Sequence, residues 1–370
     1  MAHATQSVSA HEDVVSLLRD WIAIPSLSTE EAAMADAVEQ HARTAGVNVL
    51  RHQDNVAFWI GEGDDTLVFN THLDVVPPSK DHPFDPFDPV VQDGMLYGRG
   101  SVDAKASGAA MTNALLSLAH DGWRPQHGRL MVALTTCEEG GGMYNGVQAL
   151  RPHLPDISAA VVGEPTELQP CVAQKGLLIL KIHAHGTTSH AGRPHLGDNA
   201  IATATKALQA VESITLDRED PHLGPSTMTV TTIEGGTARN VVPDHCVFAV
   251  DIRSTPAYTH DALITQVETA LAPLDNVEVE VYSNRFVPCA TPDGARIADA
   301  CTAAVDDAQP FGSPTASDWA FLADVPAIKL GPGISERSHT AGERIEVAAV
   351  ERAVGVYRSI ARHYFGARDA

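Results

Sequence analysis

The stretch Thr66-Leu67-Val68-Phe69-Asn70-Thr71-His72-Leu73-Asp74 joins a short apolar run to two side chains that can serve a metal ion. The run at residues 66–69 has the length of a buried strand rather than of a buried helix. Similar runs occur at residues 130–134, 159–162 and 327–330. Helical patterns lie between several of these runs, and this alternation predicts an α/β fold with a central, mostly parallel sheet.

Each of the four runs leads into side chains that can bind a divalent metal ion. In chain order these side chains are His72 and Asp74, then Glu138 and Glu139, then Glu164, and finally His339 after Gly331-Pro332-Gly333. Ligands of open α/β sheets bind at the carboxyl ends of the strands. We therefore expect the four loops to meet at one edge of the sheet.

The combination of side chains predicts two metal ions rather than one. Asp103 lies in Gly98-Arg99-Gly100-Ser101-Val102-Asp103-Ala104-Lys105, where glycines permit tight turns before a predicted helix at residues 104–119. An aspartate at this place can offer one oxygen to each of two ions. Imidazoles and carboxylates are ligands for catalytic Zn²⁺, with Co²⁺ as the alternative ion.

Two further side chains have predicted catalytic roles. Asp74 shares a strand face with His72 and is expected to orient its ring, because metal-bound histidines usually donate their second N–H. One of two adjacent glutamates can bind metal while the other, Glu138, takes a proton from water. The alternative is that single histidines and paired acids are ordinary surface residues, since the chain has 18 histidines and 47 acids.

The middle of the chain has a different pattern. Residues 178–184 alternate between apolar and polar side chains, which is typical of a half-buried strand, and residues 227–233, 245–252 and 277–282 are similar. Helical patterns fall at residues 199–211 and 260–271. We predict an inserted α+β domain at residues 174–285 and a discontinuous outer domain formed by residues 1–173 and 286–370.

Further helices are predicted at both ends of the outer domain. Residues 28–47 form one, in which Ser28 and Glu31 could make a capping box and Gly46 marks the end. Residues 346–363 form another.

Composition excludes several functions. The net charge of −22 argues against nucleic acid as a partner. The sequence contains no run of eighteen apolar residues, so no membrane span is predicted. The first ten residues do not resemble a secretory signal. The five cysteines form no C-x-x-C pair, which favours a reducing cytoplasm. The six lysines against nineteen arginines are compatible with a high-salt cytoplasm or with a GC-rich genome.

The chain resembles the M20 family of metallohydrolases over nearly its whole length, from about Glu12 to Tyr364. The motifs occur in the family's order and form a highly specific set. They are Thr71-His72-Leu73-Asp74-Val75-Val76-Pro77, Gly98 to Lys105, Glu138-Glu139, Gly163-Glu164-Pro165-Thr166, Ser189-His190-Ala191-Gly192-Arg193-Pro194, Gly235-Gly236-Thr237, Asn240-Val241-Val242-Pro243, Asp251-Ile252-Arg253 and Ser338-His339-Thr340.

The resemblance implies a zinc-peptidase-like catalytic domain and an inserted ferredoxin-like domain that serves as lid and dimer interface. It implies that His72 and Glu164 hold one metal ion, that Glu139 and His339 hold the other, and that Asp103 bridges them. It also implies that Glu138 is the general acid and base and that the chain forms a homodimer. Within that dimer His190 would act in the partner's active site, and Asn240 and Arg253 would bind substrate.

Among M20 enzymes the chain is most similar to acetylornithine deacetylases and to hydrolases of carrier-linked lysine or ornithine. This implies removal of the acyl group from an N-acyl amino acid, with N-acetyl-ornithine of arginine biosynthesis as the first expectation. Arg253 could pair with the α-carboxylate of such a substrate and Glu343 with its distal ammonium, although either could instead form a structural ion pair. The other possibilities are a succinyl-diaminopimelate desuccinylase, a dipeptidase or carboxypeptidase, and an inactive metal-binding protein.

Overall fold

A computed structural model of the chain describes residues 13–140, 142 and 144–366. In chain order the α-helices of these ranges are α1 (Val14–Ile22), α2 (Ala32–Thr44), α3 (Lys105–His120), α4 (Gly146–Leu150), α5 (Ala200–Glu212), α6 (His260–Leu271), α7 (Arg296–Ala304) and α8 (Val347–Gly366).

The strands fall into several sheets. In chain order they are β1 (Asn48–His52), β2 (Asn55–Ile60), β3 (Asp65–His72), β4 (Val90–Gln92), β5 (Met95–Tyr97), β6 (Gly128–Thr135), β7 (Ala159–Val162), β8 (Cys171–Gln174), β9 (Gly176–His185), β10 (Ser189–His190), β11 (Glu219–Asp220), β12 (Gly224–Pro225), β13 (Thr227–Gly235), β14 (Val241–Val242), β15 (His245–Ser254), β16 (Val277–Phe286), β17 (Cys289–Ala290), β18 (Phe311–Ser313), β19 (Ala327–Lys329) and β20 (Arg344–Glu346).

The described chain forms two compact units. The first contains the described residues up to Val172, together with Thr291–Phe311 and the residues from Ser317 onward. The second contains Ala173–Ala290 and Gly312–Ala316.

The first unit is built on a sheet with the strand order β1-β2-β6-β3-β7-β19. Strands β6, β3, β7 and β19 are parallel to one another, whereas β1 and β2 are antiparallel additions at one edge. All eight residues of β3 are buried, as expected for a central strand that is covered on both faces. Strand β19 also pairs with β8 in antiparallel fashion, with Lys329 opposite Cys171. The predicted α/β fold is therefore confirmed, with a mixed central sheet whose inner strands are parallel.

Among the helices of the described ranges, none has both the length and the hydrophobicity that a membrane span requires.

Helix α2 begins later than predicted, and the capping box at its start is absent. The hydroxyl of Ser28 donates instead to the Asp74 carboxylate at 2.7 Å, and the carboxylate of Glu31 accepts the backbone N–H of Cys137 at 3.0 Å. Both side chains therefore bind distant loops rather than their own helix. The predicted end is correct, since Gly46 follows the helix with a φ of 73°.

The second unit contains an antiparallel sheet of order β13-β15-β9-β16. Its central strands alternate between buried and more exposed residues, so one face is covered and the other is open. Helices α5 and α6 supply apolar residues to the covered face. The side chain of Asn199 caps α5 and that of Thr259 caps α6, which places both helix starts near the predicted positions.

The long segment of the second unit, Ala173–Ala290, begins and ends in two short strands that pair with each other. Strand β17 pairs with β8, with Cys289 opposite Gln174 and Ala290 opposite Ala173. The next residue on each side, Val172 and Thr291, belongs to the first unit. These two residues are also hydrogen-bonded, since the N–H of Thr291 donates to Val172 O at 2.8 Å.

Candidate metal centre

The parallel strands bring the predicted metal ligands to one edge of the sheet. Strand β3 ends at His72, which is paired in register with Thr135 at the end of β6. The loop after β6 carries Glu138 and Glu139, and Glu164 comes two residues after the end of β7. Because the strands run in the same direction, their last residues converge, and the loop after β19 contributes His339.

Asp103 lies between the two histidines, with one carboxylate oxygen directed at each. Its Oδ1 is 3.1 Å from His72 Nε2, and its Oδ2 is 3.3 Å from His339 Nε2. The hydroxyl of Ser338 donates to Oδ2 at 2.5 Å. This is the arrangement that a carboxylate bridging two metal ions requires.

The remaining carboxylates complete two groups that share Asp103. His72, Asp103 and Glu164 each offer a ligand atom within 4.8 Å of the others, as do Asp103, Glu139 and His339. His339 Nε2 is 2.7 Å from Glu139 Oε1, and His72 Nε2 is 3.9 Å from Glu164 Oε1. The structure thus brings together all five residues that were predicted as metal ligands.

The charges of this centre are poorly balanced by the side chains alone. Burial, followed by repulsion from Asp103, raises the pKa of Glu164 to about 8. Burial also raises the pKa of Glu139, although a hydrogen bond from His339 opposes the shift. Hydrogen bonds to Asp103 and Glu139 raise the pKa of His339 to about 10. Several carboxylates buried this close together can all be ionised only if positive charge lies beside them. This set of carboxylates and imidazoles therefore fits two divalent cations.

Comparison with known families identifies the family of this chain. Residues 68–363 match the family described as peptidase family M20/M25/M40. The chain belongs to this family.

The relatives of this M20/M25/M40 chain match nearly all of its length. It is 30% identical over 378 residues to a protein of Wolbachia pipientis wMel, with 95% of this chain and 94% of the relative covered. It is 30% identical over 387 residues to a protein of Dinoroseobacter shibae, with 95% of this chain and 99% of the relative covered. Both relatives are named succinyl-diaminopimelate desuccinylase.

Solved structures share the fold. The aminopeptidase PepT of Bacillus cereus aligns with a TM-score of 0.78 at 22% identity, covering 97% of this chain and 100% of that chain. The YXEP protein of Bacillus subtilis, described as a dinuclear metal binding peptidase from the M20 family, aligns with a TM-score of 0.70 at 15% identity. That alignment covers 94% of this chain and 96% of that chain. The predicted zinc-peptidase-like fold is therefore confirmed.

Asp74 faces His72 at the candidate centre, and its backbone oxygen is closer to the ring than its carboxylate is. His72 Nδ1 lies 2.9 Å from the backbone oxygen of Asp74 but 3.6 Å from its carboxylate, which is too long for a hydrogen bond. The backbone carbonyl thus orients the ring. The Asp74 carboxylate also accepts the N–H groups of Glu138 and Glu139 at 3.1 and 3.0 Å, and so positions the loop that carries these two glutamates.

Glu343 is not available for a substrate ammonium, so that expectation was wrong. Its side chain is buried and accepts a hydrogen bond from Arg99 Nη1 at 2.6 Å. It also accepts the backbone N–H groups of Gly100, Val102 and Asp103 at 3.1, 2.8 and 3.2 Å. Glu343 therefore fixes the loop that presents Asp103.

Asp318 is a buried acid beside the centre to which the sequence assigned no role. Its carboxylate accepts hydrogen bonds from Asn145 Nδ2 at 2.7 Å and Thr135 Oγ1 at 3.0 Å, and burial raises its pKa to about 6. Burial, together with neighbouring charges that include Asp318, raises the pKa of Glu138 well above its usual range. The sequence feature that could have pointed to Asp318 is its place immediately before the segment Trp319 to Leu322, whose side chains are buried.

Three predicted site residues lie in the second unit, and two of them are neighbours. His190 pairs with Val241 between β10 and β14, and the N–H of Ala191 donates to the backbone oxygen of Asn240 at 2.9 Å. Arg253 lies elsewhere on this unit, where it forms an ion pair with Asp251 at 2.8 Å. Its side chain remains 43% exposed, so the ion pair leaves part of the guanidinium accessible.

Proposed function

We propose that this chain is a two-metal amidohydrolase that removes the acyl group from an N-acyl amino acid. The observation that carries the proposal is the pair of ligand groups, His72–Asp103–Glu164 and Asp103–Glu139–His339, which share one carboxylate. Zn²⁺ is the proposed ion and Co²⁺ the alternative, because the donors are imidazole nitrogens and carboxylate oxygens. Two such ions, when bound, lower the pKa of water and polarise a carbonyl group.

Glu138 is the proposed general acid and base. It is buried beside the ligand groups, and its backbone N–H is held by Asp74 at 3.1 Å. Its carboxylate would accept a proton from the attacking water and then pass that proton to the leaving nitrogen of the amide. Its raised pKa suits this double role, since the group must be ionised in the first step and protonated in the second.

The proposed substrate is an N-acylated diamino acid. The names of the full-length relatives support N-succinyl-diaminopimelate, an intermediate of lysine synthesis. The stretch Leu330-Gly331-Pro332-Gly333 before Ser338-His339-Thr340 favours the second candidate, N-acetyl-ornithine of arginine biosynthesis. In either case the α-carboxylate needs a cation, and the planar fork of Arg253 is the proposed partner. Asn240 is the proposed neutral polar contact.

The family resemblance also supports a homodimer, formed through the second unit, in which His190 stabilises the oxyanion in the partner's active site. The five cysteines are all buried thiols, which supports a reducing cytoplasm as the compartment.

The test is a substrate panel scored by kcat/KM on the purified chain with Zn²⁺ or Co²⁺. It contains N-succinyl-diaminopimelate, N-acetyl-ornithine, N-acetyl-norvaline and a set of dipeptides. A preference for either of the first two supports the proposal and chooses between them. A preference for dipeptides would make the chain a peptidase of the same family, and a lack of hydrolysis that persists after metal reconstitution would refute the amidohydrolase.

A further inference from the structure

A second cluster of possible metal ligands lies far from the candidate centre in sequence, on the open face of the sheet of the second unit. His183 and His185 are two residues apart on β9, so both project from the same face. His245 on β15 is directly opposite His185 in the strand register. Helices α5 and α6 cover the other face, so water and ions can reach the three imidazoles.

Two of these imidazoles already have the spacing of metal ligands. His183 Nδ1 and His245 Nε2 face each other at 3.3 Å. Two ligands of a tetrahedral ion with Zn–N bonds of about 2.05 Å are separated by about 3.3–3.4 Å. The observed distance therefore equals one edge of such a site, and an ion between the two nitrogens could replace the proton that they now share.

The third imidazole is near, although it is not yet in position. The ring centroid of His185 is 5.6 Å from that of His245 and 6.4 Å from that of His183. The side chain of His185 is 49% exposed, so it can change rotamer without disturbing the core. Such a rotation would add a third nitrogen to the facing pair.

A carboxylate contacts the second ring nitrogen of His183, as in protein metal sites, whereas the acid nearest His185 is beyond hydrogen-bonding distance. His183 Nε2 is 2.8 Å from Glu280 Oε2, which directs the Nδ1 lone pair of His183 away from Glu280 and toward His245. His185 Nε2 is 3.6 Å from Glu278 Oε2. A carboxylate on the second ring nitrogen fixes the tautomer and strengthens the ligand.

Two histidine rings that lie close together do not always place their nitrogens opposite each other. His52 and His153 of the first unit are closer, with ring centroids 3.9 Å apart, but their rings are stacked at 25°. The rings of His183 and His185 are also nearly parallel, at 11°, so stacking alone does not exclude a site. The feature that distinguishes His183 and His245 is that two ring nitrogens face each other at 3.3 Å. We expect the stacked pair His52 and His153 to bind no ion. It provides a matched control on the same chain.

We propose that His183, His245 and His185 form a binding site for one divalent first-row transition-metal ion, with Zn²⁺ as the working example. Imidazole donors select ions of this class over Mg²⁺ and Ca²⁺, and a Cu²⁺ ion should bind more tightly than Zn²⁺. The site lies outside the residues proposed for hydrolysis, and the argument for it does not depend on the proposed function.

The test counts bound ions in the complete, untagged chain. Wild type, His245→Ala, His183→Ala and the control His153→Ala are equilibrated with Zn²⁺ and measured by elemental analysis. Ions of the catalytic centre are common to all four proteins, so the differences report only the new site. We expect His245→Ala and His183→Ala each to bind one ion fewer per chain than wild type, and His153→Ala to equal wild type.

Two further measurements decide the geometry. The Cu²⁺ electron paramagnetic resonance spectrum of wild type should contain, besides any signal of the catalytic centre, a second nitrogen-coupled component, and this component should be absent from His245→Ala. Glu280→Gln should weaken Zn²⁺ binding by about 10–100-fold, the range typical of such supporting partners. Equal ion counts in wild type and both histidine variants would overturn the proposal and leave the imidazoles as a hydrogen-bonded pair. Hydrolysis by His245→Ala should remain at the wild-type rate, which also shows that this variant folds.

Discussion

Nη1 of Arg99 lies 2.6 Å from Oε2 of Glu343, and only 1% of each side chain is exposed. The same carboxylate holds three backbone N–H groups of the loop that ends at Asp103. The geometry of the metal centre thus depends on an ion pair that touches no proposed ligand side chain.

Replacing Glu343 by Gln should damage both stability and metal binding. Removing one partner of a buried ion pair typically costs about 3–5 kcal/mol because the remaining charge is left unpaired. We expect a loss of that order in the free energy of unfolding, measured by urea titration with a chelator present. The exposed Glu336→Gln is the control and should stay within about 0.5 kcal/mol of wild type. A Glu343→Gln protein as stable as wild type would contradict a stabilising role for this ion pair.

Glu138→Gln should separate catalysis from metal binding. Gln has nearly the same shape but cannot carry the proton, and general acid–base catalysis is typically worth about 10²–10⁴ in rate. We expect kcat to fall by at least that factor while the metal content, measured by elemental analysis, equals that of wild type. Activity within tenfold of wild type would remove Glu138 from the proposed role.

Asp103→Ala and His339→Ala should differ in the number of ions that they lose. Asp103 belongs to both ligand groups, whereas His339 belongs to one. After dialysis against Zn²⁺, we expect His339→Ala to lose one ion per chain and Asp103→Ala to lose more than one. Equal losses in the two variants would contradict a bridging carboxylate.

The second unit should lose stability in mild acid because of His260. Burial lowers the pKa of His260, whose Nε2 accepts a hydrogen bond from Ser254 Oγ at 2.8 Å while Nδ1 faces Asn284 O at 3.3 Å. The folded pKa is thus below the unfolded value of about 6.5, so the unfolded state binds more protons in that window. The free energy of unfolding should fall as pH decreases below about 6.5 and stop falling below the folded pKa.

This pH effect can be isolated by comparing variants, since other groups titrate as well. The difference in unfolding free energy between pH 7.5 and pH 5.5 should be smaller in His260→Gln than in wild type. The exposed His195→Gln should keep the wild-type difference. An unchanged difference in His260→Gln would assign the acid sensitivity to other groups.

The proposed role of His190 in the partner's active site can be tested with hybrid dimers. A Glu138→Gln protein and a His190→Ala protein are each expected to be nearly inactive. After subunit exchange, one active site of each hybrid combines an intact Glu138 with an intact His190 from the partner. Partial recovery of activity is the expected result, and its absence after exchange has been verified by mass spectrometry would show that His190 does not act across the interface.

The strands and the side chains that gather at the candidate metal centre could be predicted from the sequence for a physical reason. A buried parallel strand must be apolar, and the first polar side chains after it lie at the common edge, as His72 and Glu164 do. The hydrogen-bond partners of the supporting acids could not be predicted. Glu31, Asp74 and Glu343 receive N–H groups from loops distant in the chain, and no local spacing records which loop will fold against which acid.

The pairing of β8 with β17 has a consequence for how the chain folds. Ala173 and Ala290 begin and end the long segment of the second unit, yet they are partners in one antiparallel ladder and are therefore about 5 Å apart. Once the second unit has folded, it joins Val172 to Thr291 as a short hairpin would, and the first unit no longer loses the entropy of closing a long flexible loop. Replacing the whole insertion by a two-residue turn should therefore leave the first unit able to fold by itself.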